Sequence, residues 1–501
     1  MRSISPPWRS RLNLLILVIL LGLGLLLRLF NLTNPPLDFQ ATRQLHSAII
    51  SRGMYYEMLP SADANRREEA ISLWHSQPVY EPPILERLVA WTYLAAGGEI
   101  LWVARLYSSL FWIIGAVGLY LLSRKISSPG GALLAVSYYL FLEFAVYASR
   151  SFQPEPLLTM GLIWTAYAFF RWSENQTIKF ALLAGLCAGA TVLIKVSALL
   201  PVAGILLALL VKDVRQVTKL LRNPQLWLLI LLWAAIPAVY YVFLVGPRST
   251  DFFSFWTLSF AHLLVEPVFY WKWLNMVIYQ VGRAALWLAL LGVLILPSDG
   301  KRLAIGWWLG YFVYGLTLPY QIHTHDYYSL LLVPAVALSL SSLATKLIEV
   351  ISGQRWIWRL AAVLISTAAL VSSFWIIRSR IMARDYRPEV TALRNMAASL
   401  PGGSTIALTQ DYGYRMRYYG WRLVQLWPTT ADFALDAIRT GEDPTNRYTD
   451  AFAENTQGYS YFLVTDFDQL DAQPVLGDIL YDHYPVTEGD GYLLFDLGNP
   501  R

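Results

Sequence analysis

Eleven stretches of this sequence are apolar over roughly the length of a membrane-spanning helix. Such a helix needs about 20 mostly apolar residues, and several of these stretches are shorter, so two of them could be half-helices. Hydrophobic residues make up 56% of the 501 positions and charged residues only 15%, against roughly 25% charged in soluble domains. The sequence predicts a polytopic α-helical membrane protein with spans at 12–30, 103–122, 132–148, 156–170, 180–194, 197–211, 226–245, 276–296, 303–319, 327–344 and 357–377.

The distribution of basic residues predicts the orientation of these spans. Arg2, Arg9 and Arg11 precede the first apolar run, which is long for a signal core and has no small-residue cleavage site after it. We therefore expect a retained first span that starts in the cytoplasm. Alternate segments between spans are then rich in basic residues, namely Arg124, Lys125, Arg171, Lys179, Lys212, Arg215, Lys219, Arg222, Lys301, Arg302, Lys346, Arg355 and Arg359. The opposite segments hold fewer, chiefly Arg150, Lys195, Arg248, Lys272 and Arg283. The sequence thus predicts a multi-pass protein of the cell membrane with its C-terminal segment outside.

The composition changes near Asp385, which predicts a second domain. The runs STIALTQ, YFLVTD and GYLLFDL are typical of strands, and 389–400 and 431–440 are typical of helices. We expect a transmembrane domain over 1–380 and an extracytoplasmic α/β or α+β domain over 381–501. Within the latter, YRMRYYGWR (414–422) interleaves cations with aromatic rings. It could stack on a sugar ring or, as a simpler alternative, form a helix and turn packed on the membrane surface.

The segment from residue 31 to 100 is too polar to span a membrane. Apolar residues at near-helical spacing predict a helix over 41–52, and 84–94 is a second candidate. Both are expected to lie at the membrane interface. The polar stretch 60–69 between them is expected to be a mobile outer loop.

Ionisable residues collect at the predicted outer ends of the spans. A charge at the centre of a membrane helix costs about 2.5–3.5 kcal/mol, so several charges at one face predict a polar cavity there. Simpler alternatives exist for individual residues. Asp38 could be a helix N-cap, Glu81 could shape a turn, Asp326 could favour a helix dipole, and any of them could reach the lipid headgroups. The residues concerned are Asp38, Glu81, Glu143, Glu155, Lys195 and Asp326.

Several function classes are excluded or unsupported by the sequence. Cys187 is the one cysteine, which excludes an intrachain disulfide and a cysteine-ligated zinc site. No HExxH motif, nucleotide-binding glycine loop or internal repeat is present, and no nucleic-acid partner is expected. Glu81 and a histidine such as His262 or His325 could share a divalent metal, but no helical ligand spacing supports this. We therefore expect no cofactor.

Five short segments together resemble the GT-C fold membrane glycosyltransferases, in particular the branch of protein O-mannosyltransferases and lipid A aminoarabinose transferases. They are an acidic residue after the first span (Asp38, in LDFQATRQLHSAIISR) and a Pro-Pro segment in the same loop (YEPPILERL, with Glu81). The others are an acidic residue opening the fourth span (SRSFQPEPLL, with Glu155), a lysine after the fifth (LIKVSALLP, with Lys195) and HTHDYYSLLLVP at a late outer helix start. Their order and their topological placement carry the resemblance across most of residues 1–380.

The resemblance implies transfer of a sugar from a polyprenyl-phosphate donor to an acceptor on the outer face. It implies Asp38 as the general base, since a carboxylate within hydrogen-bond reach can take the proton of an acceptor hydroxyl, with Glu155 as the second catalytic acidic residue. Positive charge must stabilise the leaving phosphate. The expected substrate-binding residues are Arg43, Glu81, Arg150, Lys195, His325 and Asp326.

The chain also departs from the family pattern. Phe39 follows Asp38 where the family often has Asp-Glu, and Glu155 stands where aspartate is usual. The acceptor class, whether glycan, lipid or protein, stays open, as does the sugar. The alternative functions are a secondary transporter or lipid flippase with an outward polar cavity, and an inactive scaffold. Transporters usually show internal pseudo-symmetry, which is absent from this sequence.

Overall fold

Contacts divide the chain into two compact units. The computed structural model describes residues 7–211, 221–245, 254–441 and 448–501. The first unit comprises residues 1–32, 79–85 and 104–384, and the second comprises 33–78, 86–103 and 385–501. Among the residues on which the predicted orientation depends, Arg2, Lys212, Arg215, Lys219 and Arg248 lie outside the described residues.

The first unit is built from helices. In chain order they are α1 (Pro7–Leu29), α2 (Trp102–Ile126), α3 (Pro129–Phe141), α4 (Glu143–Ser149), α5 (Glu155–Glu174), α6 (Ile178–Ile194), α7 (Leu199–Leu210), α8 (Pro224–Ala238), α9 (Pro267–Val281), α10 (Arg283–Ile295), α11 (Ser298–Thr317), α12 (Pro319–Thr324), α13 (Val333–Ser352) and α14 (Trp356–Met382). Shorter 3-10 turns lie at Val196–Ala198, Ala261–Val265 and Asp326–Leu332, and π-helical turns at Val239–Val245 and Ser254–Leu258.

Each predicted span coincides with a helix or helix pair. Among the described residues, five helices are long and apolar enough to cross a membrane, or up to seven if each bent pair counts as one span. The other predicted spans correspond to α5, α6, α7 and α11, which are shorter or less apolar. The chain is therefore a polytopic α-helical membrane protein, as the sequence predicts.

Two spans that the sequence predicts as continuous are broken helices. The first bends by 63° between α3 and α4, where Leu142 takes an extended conformation. The second bends by 95° between α9 and α10 at Gly282. Gly282 has φ 84°, which a residue without a Cβ adopts readily.

Close helix contact in the first unit depends on small residues. A Cβ built on Gly204 of α7 would lie 2.4 Å from the carbonyl oxygen of Gly306 in α11. A Cβ built on Gly310 would likewise lie 2.6 Å from the Cα of Pro201. Small residues let membrane helices approach until their backbones touch, which maximises van der Waals contact where lipid supplies no hydrophobic driving force.

The second unit begins with three helices from the polar segment after α1. They are α15 (Ala41–Glu57), α16 (Ala64–His75) and α17 (Ile84–Ala96). Helices over 41–52 and 84–94 were predicted, and their position at the membrane interface stays a prediction. The predicted loop over 60–69 is wrong for its second half, because Asp63 caps α16 by accepting a bond from the Arg66 N–H at 3.0 Å.

The rest of the second unit is a five-stranded sheet covered by helices. The strands are β1 (Thr405–Leu408), β2 (Gln425–Leu426), β3 (Tyr461–Val464), β4 (Val486–Gly489) and β5 (Tyr492–Asp496), in the order β2-β1-β3-β5-β4. Pairing is parallel around β1 and antiparallel around β5. The helices are α18 (Arg387–Ser399), α19 (Tyr414–Tyr419), α20 (Thr430–Thr440), α21 (Tyr448–Thr456), α22 (Phe467–Asp471) and α23 (Pro474–His483).

Both faces of this sheet are buried. Ile406, Phe462 and Phe495 pack with Trp427 and Leu480 on one face. Alternate residues of the same strands pack on the other face against α18 and α19, namely Ala407, Leu463 and Leu494. This explains why the three strand runs are almost continuously apolar rather than alternating. The predicted α/β or α+β domain is confirmed.

Candidate active site

A buried cluster of one lysine and two carboxylates lies in the first unit. Lys195 Nζ is 2.9 Å from Glu155 Oε1 and 3.4 Å from Glu81 Oε1. The side chains of Lys195 and Glu155 are 6% and 4% exposed, whereas that of Glu81 is 29% exposed. The structure therefore brings together three residues that the sequence predicts for one site.

Helix ends position these three side chains. Glu155 is the first residue of α5, where a negative charge favours the helix dipole. Lys195 follows the last residue of α6 in an extended conformation (φ −155°, ψ 117°) before the turn Val196–Ala198. Glu81 immediately precedes Pro82 and Pro83. The break after α6 is what turns the lysine out of its helix and toward the start of α5.

Aromatic rings border the lysine. Lys195 Nζ lies 4.5 Å from the ring centroid of Tyr328 and 5.7 Å from that of Tyr327. Both tyrosines belong to the 3-10 turn Asp326–Leu332, and the ring of His325 is 6.0 Å from that of Tyr328. The backbone carbonyl of Asp326 accepts a hydrogen bond from Gln280 Nε2 at 2.7 Å. The predicted HTHDYYSLLLVP segment thus forms the aromatic wall of the lysine cluster.

Arg150 and Arg28 hold the C-terminal end of α1 within the first unit. Arg150 Nη2 donates to the carbonyls of Phe30 and Asn31 at 2.8 and 3.3 Å, just after α1 ends. Arg28 is fully buried, and its Nε donates to Ser149 Oγ at 2.7 Å. Arg28 is not among the site residues predicted from the sequence, although an arginine inside an apolar span was the available signal. The substrate-binding role expected for Arg150 stays a prediction, and these bonds give it a structural role.

Asp38 belongs to the second unit, in the loop before α15. Gln44 is buried, and its Nε2 lies 3.5 Å from Asp38 Oδ1 and 2.6 Å from the carbonyl of Phe39. The N-cap of α15 is Gln40, which has no side-chain cap bond, so the alternative interpretation of Asp38 as this cap is wrong. Gln40 is also left-handed, with φ 48°. Such strain in a residue other than glycine is enriched at functional sites.

Arg43 and His46 follow Asp38 on the first turns of α15. Partial burial, together with the positive charge of Arg43, lowers the pKa of His46 from 6.5 to about 4. A ring nitrogen of His46 lies 3.1 Å from the carbonyl oxygen of Pro78. The neutral imidazole with its proton on Nε2 satisfies this contact. The role of Arg43 in substrate binding stays a prediction.

The cation-aromatic segment 414–422 packs against α15 of the second unit. The Arg52 guanidinium lies 3.8 Å from the ring centroid of Tyr418 and 4.1 Å from that of Trp421. Its Nε is 2.9 Å from Glu99 Oε2, and its Nη1 donates to the Tyr418 carbonyl at 2.6 Å. The segment therefore forms a helix and a turn, as the simpler alternative predicts. It packs on α15.

Metal ligands do not cluster in the described part of the chain. Among residues 7–211, 221–245, 254–441 and 448–501, no three His, Cys, Asp or Glu side chains are grouped closely enough to hold an ion.

Comparison with solved structures identifies the fold. ArnT from Cupriavidus metallidurans bound to undecaprenyl phosphate is 15% identical, with 96% of this chain and 97% of that one aligned at a TM-score of 0.58. The oligosaccharyltransferase AglB from Archaeoglobus fulgidus, in complex with an inhibitory peptide and a dolichol-phosphate, is 13% identical. There the alignment covers 98% of this chain and 74% of that one, also at a TM-score of 0.58. This chain is therefore a polytopic membrane protein with the GT-C fold of membrane glycosyltransferases.

A family comparison points the same way. Residues 81–241 match the family model of the dolichyl-phosphate-mannose-protein mannosyltransferases. This stretch includes Glu81, Glu155 and Lys195, the three members of the buried cluster. No curated protein sequence matches the chain significantly. The resemblance to GT-C membrane glycosyltransferases drawn from the sequence is confirmed.

Proposed function

We propose that this protein transfers a sugar from a polyprenyl-phosphate donor to an acceptor hydroxyl at the extracytoplasmic face of the cell membrane, with inversion of configuration. The observation that carries this proposal is the buried contact of Lys195 with Glu155 and Glu81. The two solved structures of the same fold hold undecaprenyl phosphate and dolichol-phosphate, which supports a donor of this class. The acceptor is a glycan, lipid or protein hydroxyl.

Lys195 is the proposed partner of the leaving phosphate. Two carboxylates around one ammonium give the cluster a negative formal net charge. An incoming phosphate must therefore replace one carboxylate. Glu81 is the better candidate to move, because its contact is longer and its side chain is more exposed. Glu155 then holds the ammonium in place while negative charge develops on the departing phosphate.

Asp38 is the proposed general base, and Glu155 the second catalytic carboxylate. The Gln44 amide and the left-handed Gln40 restrict the loop that carries Asp38. A carboxylate held in this way has few conformations, which favours proton transfer from a bound hydroxyl. Arg43, Arg150, His325 and Asp326 complete the proposed substrate-binding set. The proposed topology places the N-terminus in the cytoplasm and residues 381–501 outside, as a soluble domain following the transmembrane domain 1–380.

The transporter alternative is less well supported. The match to the mannosyltransferase family model includes the lysine cluster. Of the two solved structures with this fold, AglB is an oligosaccharyltransferase in complex with a dolichol-phosphate, and ArnT is bound to undecaprenyl phosphate. No comparable observation favours transport.

The test is a transfer assay on the purified full chain with polyprenyl-phosphate sugars as donors. Asp38→Asn and Lys195→Met are each expected to lower turnover about 100-fold or more, because each removes a group that acts in the transition state. Asp63→Asn and Lys346→Met are the matched controls, since Asp63 caps a surface helix and Lys346 pairs with Glu349 in an exposed position.

Both controls are expected to retain wild-type turnover. Asp38→Asn with unchanged turnover in a folded protein would remove the proposed base. Sugar or lipid flux into vesicles without any transfer product would favour the transporter instead.

A further inference from the structure

A cavity unrelated to the lysine cluster lies between α3 and α14 in the first unit. Its volume is about 520 Å³, within the roughly 300–1,000 Å³ typical of small-molecule sites. Leu134, Tyr138 and Phe141 of α3 form one wall, and Leu370, Ser373 and Ile377 of α14 form the other. Glu143, the first residue of α4, also lines it.

The path of the helices explains why this space is open. The α3–α4 span bends by 63° at Leu142, so α4 turns away from the axis of α3. Helix α14 packs weakly along its length, and its buried residues are Ile377 and Ile381, both near its C-terminal end. The two helices therefore meet near that end and leave a gap along their apolar sides.

The walls of the cavity suit a hydrocarbon chain. The Ser137 hydroxyl donates to the carbonyl of Leu133 in its own helix at 2.9 Å. The Tyr138 hydroxyl donates to the carbonyl of Val281 at 2.7 Å. With these two hydroxyls bonded to protein and most of the other wall atoms apolar, the site offers few partners to water, which needs two to four polar contacts. In a membrane the surrounding solvent is lipid.

A pair of opposite charges stands at one end of the cavity. Glu143 forms an ion pair with Arg380 near the end of α14. Their side chains are 39% and 59% exposed, and exposed pairs contribute little to stability. Replacing this ion pair by two contacts to a ligand therefore costs little free energy. A zwitterionic ligand with a phosphate and an ammonium matches the two charges.

We propose that the α3–α14 cavity is a binding site for phosphatidylethanolamine. One acyl chain occupies the apolar space between the two helices. The headgroup phosphate contacts the Arg380 guanidinium, and the ammonium donates to the Glu143 carboxylate. Primary ammonium N–H groups form charge-assisted hydrogen bonds with a carboxylate, which the quaternary ammonium of phosphatidylcholine cannot do. The site is independent of the proposed transferase function, because none of these residues belongs to the lysine cluster.

The first experiment uses the wild-type full chain. The protein is placed in nanodiscs of equimolar phosphatidylethanolamine, phosphatidylcholine and phosphatidylglycerol with identical acyl chains, and retained lipids are identified by native mass spectrometry. We expect phosphatidylethanolamine to be retained about fivefold over either competitor. Retention in the bulk ratio, or enrichment of phosphatidylglycerol, overturns the proposal.

The second experiment fills the cavity. Ser373→Phe places a ring in the α14 wall of the cavity. Val371→Phe is the control. Val371 lies two residues earlier, which is 200° around the helix at 100° per residue, so it faces the opposite side of α14, where it is exposed. We expect Ser373→Phe to abolish retention and Val371→Phe to leave it unchanged. Equal retention by both variants overturns the site. The smaller change Ala369→Leu serves the same purpose if Ser373→Phe does not fold.

The third experiment tests the headgroup contacts. Glu143→Gln is expected to remove the preference for phosphatidylethanolamine over phosphatidylcholine, because an amide is a weaker acceptor for an ammonium. Arg380→Gln is expected to weaken retention of all three phospholipids. An unchanged lipid profile in both variants contradicts the assigned headgroup position.

Discussion

Lys195 Nζ lies 2.9 Å from Glu155 Oε1, and both side chains are buried within the helical unit. The two residues are 40 positions apart and stand at the end of one helix and the start of another. Burying two charges costs solvation that their attraction repays only with good geometry. A buried pair of this kind is poor evidence for stability and better evidence for function.

Variants of the Lys195–Glu155 pair are expected to change the stability of the protein and its transfer activity independently. Glu155→Leu leaves the buried Lys195 ammonium with the more distant Glu81 carboxylate alone of the two. This change should lower the unfolding free energy by about 3–5 kcal/mol. The double variant Glu155→Leu/Lys195→Met removes both charges and should recover most of that loss while remaining inactive in transfer. Thermal unfolding midpoints and the transfer assay measure the two effects. A double variant as unstable as the sum of its single changes would contradict this account.

His46 is expected to make the second unit sensitive to acid. Its pKa of about 4 in the folded protein lies below the ordinary value of 6.5. The unfolded chain therefore binds more protons than the folded one in this range, so stability is complete above pH 6.5 and falls as the pH drops toward about 4. We expect this residue to account for about 2 kcal/mol, less than the full linkage value because the ring is partly exposed.

The measurement for His46 is the unfolding midpoint across this pH range, compared with His46→Gln. Other groups titrate equally in both proteins, so the difference between them isolates the histidine. His46→Gln should flatten the decline, and parallel curves would show that His46 does not contribute.

Arg52 is expected to hold the aromatic segment 414–422 on α15. Its guanidinium stacks on Tyr418 and Trp421 and also contacts Glu99. Arg52→Met should destabilise the second unit by about 2–3 kcal/mol, since stacking is lost and Glu99 loses its ion-pair partner. Arg52→Lys should recover little of the lost stability, because an ammonium does not stack as a planar guanidinium does.

Limited proteolysis between residues 410 and 430 is the measurement for Arg52. Arg67→Met is the control, because Arg67 contacts the Tyr56 carbonyl but is not part of this cluster. Equal cleavage of Arg52→Met and the control would show that the stacking is incidental.

Gly204 is expected to tolerate no side chain. A Cβ there would lie 2.4 Å from the Gly306 carbonyl oxygen, so Gly204→Leu must push α7 away from α11. We expect a loss of about 1–3 kcal/mol and a lower unfolding midpoint in detergent. Gly22→Leu is the matched control, because a Cβ at Gly22 meets no atom within 4 Å. Equal midpoints for the two variants would contradict the close helix crossing.

Hydrophobic patterning alone determined the class of architecture. Apolar runs of membrane length predict helices because a backbone in lipid must satisfy its own hydrogen bonds. Strand-like runs in the C-terminal segment likewise predicted β1, β3 and β5. Lys195 was marked in the sequence as a charge at the end of an apolar span, and the HTHDYYSLLLVP segment as polar residues at the start of a late one.

Tertiary structure decided which of these polar residues meet. No periodicity predicts that Lys195 turns toward Glu155 and Glu81, since that depends on an extended residue between two helices. Packing likewise decides that Arg150 and Arg28 fix the end of α1. It also decides that Gln40, and not Asp38, is the cap of α15. The physical reason is that burial and side-chain hydrogen bonds join residues far apart in the chain, whereas sequence patterns report only neighbours along it.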